Sequence, residues 1–130
     1  MEVPTAVQKD FEIKVDGGSI NVTFRQANMG DDMARAALFS ERRTSREGNK
    51  VIELYNMDWL QLAATEVRLT LVDCDITKNK KKILKAGMNE ADFMRAWKEL
   101  PGDWADEIHR RCLEVNPDWD FGGAQEDETD

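Results

Sequence analysis

The chain is 130 residues long, 34% charged and 41% hydrophobic, and carries a formal net charge of −8. That length holds one domain with a modest core and a soluble, globular composition. The acidic balance argues against a nucleic-acid binder, which needs a basic face for phosphates, and leaves open a protein partner with a basic surface.

Two cysteines, Cys74 and Cys112, and one histidine, His109, are too few for a Cys/His zinc site within one chain. No metal and no other cofactor is expected. The first residues, M-E-V-P-T-A-V-Q-K-D, lack the basic and apolar regions of a signal peptide, so a reducing cytoplasm with two free thiols is the expected setting. No apolar run approaches the roughly 20 residues of a membrane helix, and no membrane association is expected.

Residues 1–9 carry no pattern and read as a flexible leader before a single domain over residues 10–121. In D-F-E-I-K-V, Phe11, Ile13 and Val15 alternate with polar residues. After D-G-G-S, Ile20, Val22 and Phe24 do the same in I-N-V-T-F-R. Period-two patterns on both sides of a glycine turn predict a β-hairpin over 10–25, whose apolar face must pack on another element. Asp31 or Asp32 then caps a predicted helix over 31–43. The polar run E-R-R-T-S-R-E-G-N-K that follows reads as a solvated connector, in which Arg42, Arg43 and Arg46 would suit an acidic partner.

The stretch Val51 to Val72 contains no Gly or Pro and predicts one long central helix over about 49–73. At roughly 100° per residue, Asp58, Gln61, Thr65 and Arg68 form a narrow polar stripe. Most of the remaining girth is apolar, as in a buried central helix or an assembly interface. V-R-L-T-L-V-D-C-D-I also alternates as a strand does, so residues 67–76 are ambiguous, and helix to about Asp73 is favoured for want of a breaker. The lysine run that follows, Lys78, Lys80, Lys81, Lys82 and Lys85, suits a helix C-terminus electrostatically or would dock an acidic partner or the chain's own tail. Asn89 caps a predicted helix over 90–100, and Pro101 opens another over 101–115, giving a helical hairpin. Trp104, Ile108, Cys112 and Val115 share one face of the second helix, and Trp119 and Phe121 are placed to fold back. From Gly122 the chain is acidic and has no large apolar residue, so 122–130 reads as disordered. The fold class is therefore α+β, mostly α: an N-terminal β-hairpin packed on a helical domain with a central helix, a C-terminal helical hairpin and an acidic tail.

No catalytic constellation stands out. His109 and Cys112, three apart on a helix, can touch, but the spacing alone carries little. Asp73 and Asp75 could meet a cation with Asp58 or Glu53, but solvated acids at a helix end explain them and are favoured. Four tryptophans are many for a small acidic chain. Trp59, Trp97 and Trp104 lie on apolar helical faces, either as core or as anchors for a partner.

An extended segment ending in F-R precedes a short helix and then the long helix. After these comes A-D-F-M-R-A-W-K-E-L-P-G-D-W-A-D-E-I-H-R-R-C-L-E-V-N-P-D-W and a polar acidic tail. This arrangement resembles the tail assembly chaperones of long-tailed bacteriophages and prophages. The likeness is closest over residues 89–119 and extends over about 10–119. It implies a non-enzymatic, mostly helical protein that engages the tape measure protein, helps recruit tail tube subunits and acts in the host cytoplasm. A chaperone of a helical client offers apolar grooves. Trp59, Leu62, Trp97, Trp104 and Ile108 are the candidate partner-binding residues, with self-association expected. The competing reading is an acidic inhibitor or DNA mimic that blocks a basic nuclease or DNA-binding protein. Against it, the acids are interspersed with Lys and Arg.

Overall fold

A computed structural model describes residues 1–44 and 58–121. Strand β1 (Gln8–Val15) pairs antiparallel with β2 (Gly18–Arg25), from Gln8 opposite Arg25 to Val15 opposite Gly18. The strand thus starts two residues inside the expected leader. Ile13 faces Ile20 and Phe11 faces Val22 across the ladder, so the alternating apolar residues share one face. The turn is Asp16-Gly17, with Gly18 already paired in β2. Gly17 has φ +89 and a Cβ there would meet nothing within 4 Å. Gly17→Ala is therefore expected to cost about 1 kcal/mol through the backbone alone. Gly18→Ala, without a positive φ, should leave the urea-unfolding free energy nearly unchanged.

Helix α1 (Met29–Thr44) begins with a reciprocal cap. The Asn28 side chain accepts from the Asp31 amide at 2.9 Å, and the Asp31 carboxylate accepts from the Asn28 amide at 3.0 Å. Asn28 is thus the capping residue, and Asp31 is the returning partner, also held by Arg25 at 2.6 Å.

Helix α2 (Trp59–Thr70) starts where Asp58, in extended conformation, accepts from the Gln61 amide at 3.0 Å. The expected long helix thus has its described part here, and its stretch over 49–57 lies outside the described residues. Its far end differs from expectation. Residues Leu71–Cys74 form strand β3, which pairs antiparallel with β2 and makes β2 the centre of a three-stranded sheet. The pairing places Cys74 opposite Val22 and Leu71 opposite Phe24, with a register shift between. Leu71 and Cys74 are three apart and both buried, which a regular strand forbids. The extra residue at Val72 restores the phase. Unpaired backbone groups along β2 thus outweigh the absence of a helix breaker.

The lysine run does not decorate a helix end. Strands β4 (Thr77–Lys78) and β5 (Lys81–Lys82) make a small hairpin around Asn79 and Lys80, both with positive φ. Helix α3 (Glu90–Trp97) is capped by Asn89, and a tightened turn runs to Leu100. Helix α4 (Gly102–Val115) follows Pro101, and a 3₁₀ turn, Pro117–Trp119, closes the described chain. Helices α1, α3 and α4 all pack on α2, and α4 also covers the β1–β2 hairpin. The fold is thus α+β and mostly α, with the hairpin on a helical domain organised around α2. The core between sheet and helices holds Phe24, Val67, Leu84, Phe93 and Ile108.

Candidate interaction surface

Glu66 of α2 lies beside His109 of α4, and Thr70 lies beside Cys112. Residue numbers rise together along both helices, so α2 and α4 run parallel with their N-terminal ends side by side. Two small residues, Ala63 and Ala105, line the space between those ends, and α3 with the turn after it closes the space through Met94, Trp97 and Leu100. The result is a groove of about 640 Å³ rimmed by Asp58, Lys98 and Asp106. Adjoining it lies a second hollow of about 440 Å³, lined by Trp59, Leu62, Leu113, Trp119 and Phe121. Ala63 and His109 border both. At this end of the molecule Trp59 is 53%, Leu60 78% and Phe121 53% exposed. The Trp59 and Phe121 rings meet edge to face at 6.2 Å.

The candidate binding residues separate. Trp59 stands exposed at the second hollow, and Trp97 lines the first groove, stacked on Phe93 at 5.6 Å. Trp104 lies elsewhere, beside the β-hairpin turn at Gly17 and Gly18. Leu62, 4% exposed, lies in the wall of the second hollow, whereas Ile108 is fully buried and lines neither hollow. Ile108 belongs to the core because α4 turns that face toward the sheet as well as toward α2. Of the lysines, Lys78 is paired with Glu99 at 2.6 Å and Lys82 with Asp73 at 2.7 Å. The hydrogen bond from Lys82 holds the Asp73 carboxyl below its usual range. Lys80, Lys81 and Lys85 are exposed.

Beneath the exposed end sits a polar centre that the pattern of apolar residues hides. Glu66, 2% exposed, accepts from Arg35 Nε and from His109 Nε2, each at 2.6 Å. The Arg35 guanidinium also lies over the rings of Phe39, Trp119 and Phe121 at 5.2–5.5 Å. Trp119 Nε1 donates to Asp32 at 3.0 Å, so α1 clasps the C-terminal turn from two sides. The sequence offered one signal for Glu66. It stands four residues from both Leu62 and Thr70, on the helix face that α4 covers.

His109 and Cys112 do not form a nucleophilic pair. The imidazole is turned to Glu66, whereas the Cys112 sulfur lies 3.4 Å from the Thr70 hydroxyl and is fully buried. Burial pushes the Cys112 thiol up to about 12, and it raises Cys74 as well. In the unfolded chain Cys112 ionises near 9.0. The stability tied to this thiol is full below that pH and falls as pH rises toward 12, at roughly 1.4 kcal/mol per unit. Cys112→Ala should flatten that alkaline decline in urea titrations. Both native thiols should also react with an aromatic disulfide reagent at least about a hundredfold more slowly than in urea.

Asp75 accepts from the Asn21 amide and side chain, and Asp58 caps α2, so these acids are separately engaged. Among the described residues, no group of three or more His, Cys, Asp or Glu side chains is placed to hold a metal ion. No helix among them is long and apolar enough to cross a membrane. Comparison with protein-family models, curated proteins and solved structures finds no match.

Proposed function

We propose that the chain is a non-enzymatic assembly chaperone of a phage or prophage tail, which binds the tape measure protein and helps recruit tail tube subunits. The observation that carries this reading is the exposed apolar end of α2. Trp59, Leu60 and Phe121 stand together there, beside two hollows lined largely by apolar side chains. Monomeric proteins seldom leave such residues clustered unless they meet another surface. Aromatic anchors beside hollows are what a helical client would engage. The reactive side chains nearby are committed to the fold: His109 to Glu66, and Cys112 to the interior. The arrangement of segments along the sequence adds the tail-assembly context.

The test is co-expression with a tape measure protein and a tail tube protein. The chain should co-purify with the tape measure protein, and capture should survive roughly 0.3 M salt, where exposed charge pairs are largely screened. Trp59→Ser combined with Leu60→Ser should abolish capture without unfolding the chain. Capture of a basic nuclease or DNA-binding protein, lost steeply with salt and displaced by duplex DNA, would overturn the reading.

A further inference from the structure

We propose that the groove between the parallel ends of α2 and α4 receives an amphipathic helix whose apolar stripe is edged by lysine or arginine. The inference rests on the reading that the chain binds another polypeptide, though not on which one. The short side chains of Ala63 and Ala105 leave the space between the helix ends unfilled, and the groove of about 640 Å³ matches a few apolar side chains from successive helical turns. Its floor is apolar, through Trp97, Met94 and Leu100.

The rim sets the charge of the guest. The Asp106 carboxylate makes no hydrogen bond or ion pair with any described residue, and Asp58 commits one carboxylate oxygen, Oδ1, to the Gln61 amide. Both carboxylates border the groove from the two parallel helices. Lys98, whose side chain has no partner among the described residues, is the one lysine or arginine among the described residues that line the groove, and His109 is bound to Glu66. Two available acids against one available base favour a guest with basic edges, at an interface where charge selects orientation and partner.

The probes are two synthetic helices of about 18 residues, alike in a leucine stripe and edged with lysine in one and glutamate in the other. Binding is read by anisotropy of a fluorescent label on the peptide. The lysine-edged peptide should bind the full chain, and the glutamate-edged one at least about tenfold more weakly. Asp106→Lys, on an exposed position, should reverse that order. Ala105→Trp, which fills the groove, should remove binding of both, and Ala105→Leu should weaken it if the tryptophan variant does not fold.

Asp16→Lys at the β-hairpin turn makes the same change in net charge away from the groove and should leave the order intact. An equal effect of Asp16→Lys and Asp106→Lys would mean attraction by net charge alone and overturns the proposal. So would equal binding of the two peptides, or no binding of either. Dimers of the free chain that Ala105→Trp dissolves would place a second copy in the groove and likewise overturn it. If both peptides fail while the tape measure protein is still captured, the groove assignment falls and the broader function stands.

Discussion

Replacing Arg35 by methionine is expected to lower the unfolding free energy by about 3–5 kcal/mol. The Arg35 side chain is 12% exposed and that of Glu66 2%, with 2.6 Å between Nε and the carboxylate. Removing the guanidinium leaves a buried carboxylate with His109 as its remaining side-chain partner. It also removes the cation from beneath Trp119 and Phe121, which ties α1 to the C-terminal turn. Glu66→Leu alone should be costly in the mirror sense, because it strands Arg35. The double variant Arg35→Met/Glu66→Leu should recover most of the loss, since the costly species is the unpaired charge and an apolar pair can replace an ion pair at little cost. Urea unfolding of the four proteins gives the coupling directly. A cost below about 1 kcal/mol for Arg35→Met, typical of an exposed pair, would mean that the charge centre is not buried in solution.

Asn116→Ala is the second substitution with a large expected effect, about 2–4 kcal/mol. Asn116 ends α4 and is 8% exposed. Its side-chain oxygen accepts from the Ala27 amide at 2.8 Å, and its nitrogen donates to the Arg25 carbonyl at 3.2 Å. One side chain therefore satisfies backbone groups at the exit of β2, some ninety residues earlier in the chain. Alanine leaves a part-buried donor and acceptor without partners, and the penalty is the desolvation of both. Asn116→Asp should be intermediate, because it keeps the acceptor for Ala27 and loses the donor for Arg25. Urea unfolding should rank wild type, Asp and Ala in that order. Hydrogen exchange at the Ala27 amide should accelerate in the alanine variant and not in the aspartate one.

These two residues mark where the sequence stops being readable. The hairpin was legible because Ile13, Ile20, Val22 and Phe24 alternate around glycines and pair face to face. Helix α4 was legible to within one residue of its start because Pro101 and Asn116-Pro117 bound a clear apolar stripe. Strand β3 was not, because the preference of residues 71–74 depends on β2, whose pairing partner is fixed only in three dimensions. The cap of α1, expected at Asp31 or Asp32, lies three or four residues earlier for a related reason: Asn28 caps the helix and Asp31 returns the hydrogen bond. Apolar character marked Ile108 as a candidate wall, but character does not say which residues a neighbouring helix covers. Arg35, in the run A-R-A-A-L, carries no local sign that it reaches Glu66, 31 residues away. Trp97 and Trp59 lie on apolar helical faces by their spacing. That they line separate, adjoining hollows follows from the parallel packing of α2 and α4, which no local pattern encodes.

The most direct measurement is hydrogen exchange on the chain, free and in complex with the co-expressed tape measure protein. Protection should appear at the N-terminal half of α2, at the end of α3 around Trp97 and at the first turns of α4, while the lysine hairpin over residues 77–82 should exchange alike in both samples. Protection confined to that lysine hairpin, or identical exchange throughout, would contradict an account in which the apolar end of α2 is the working surface.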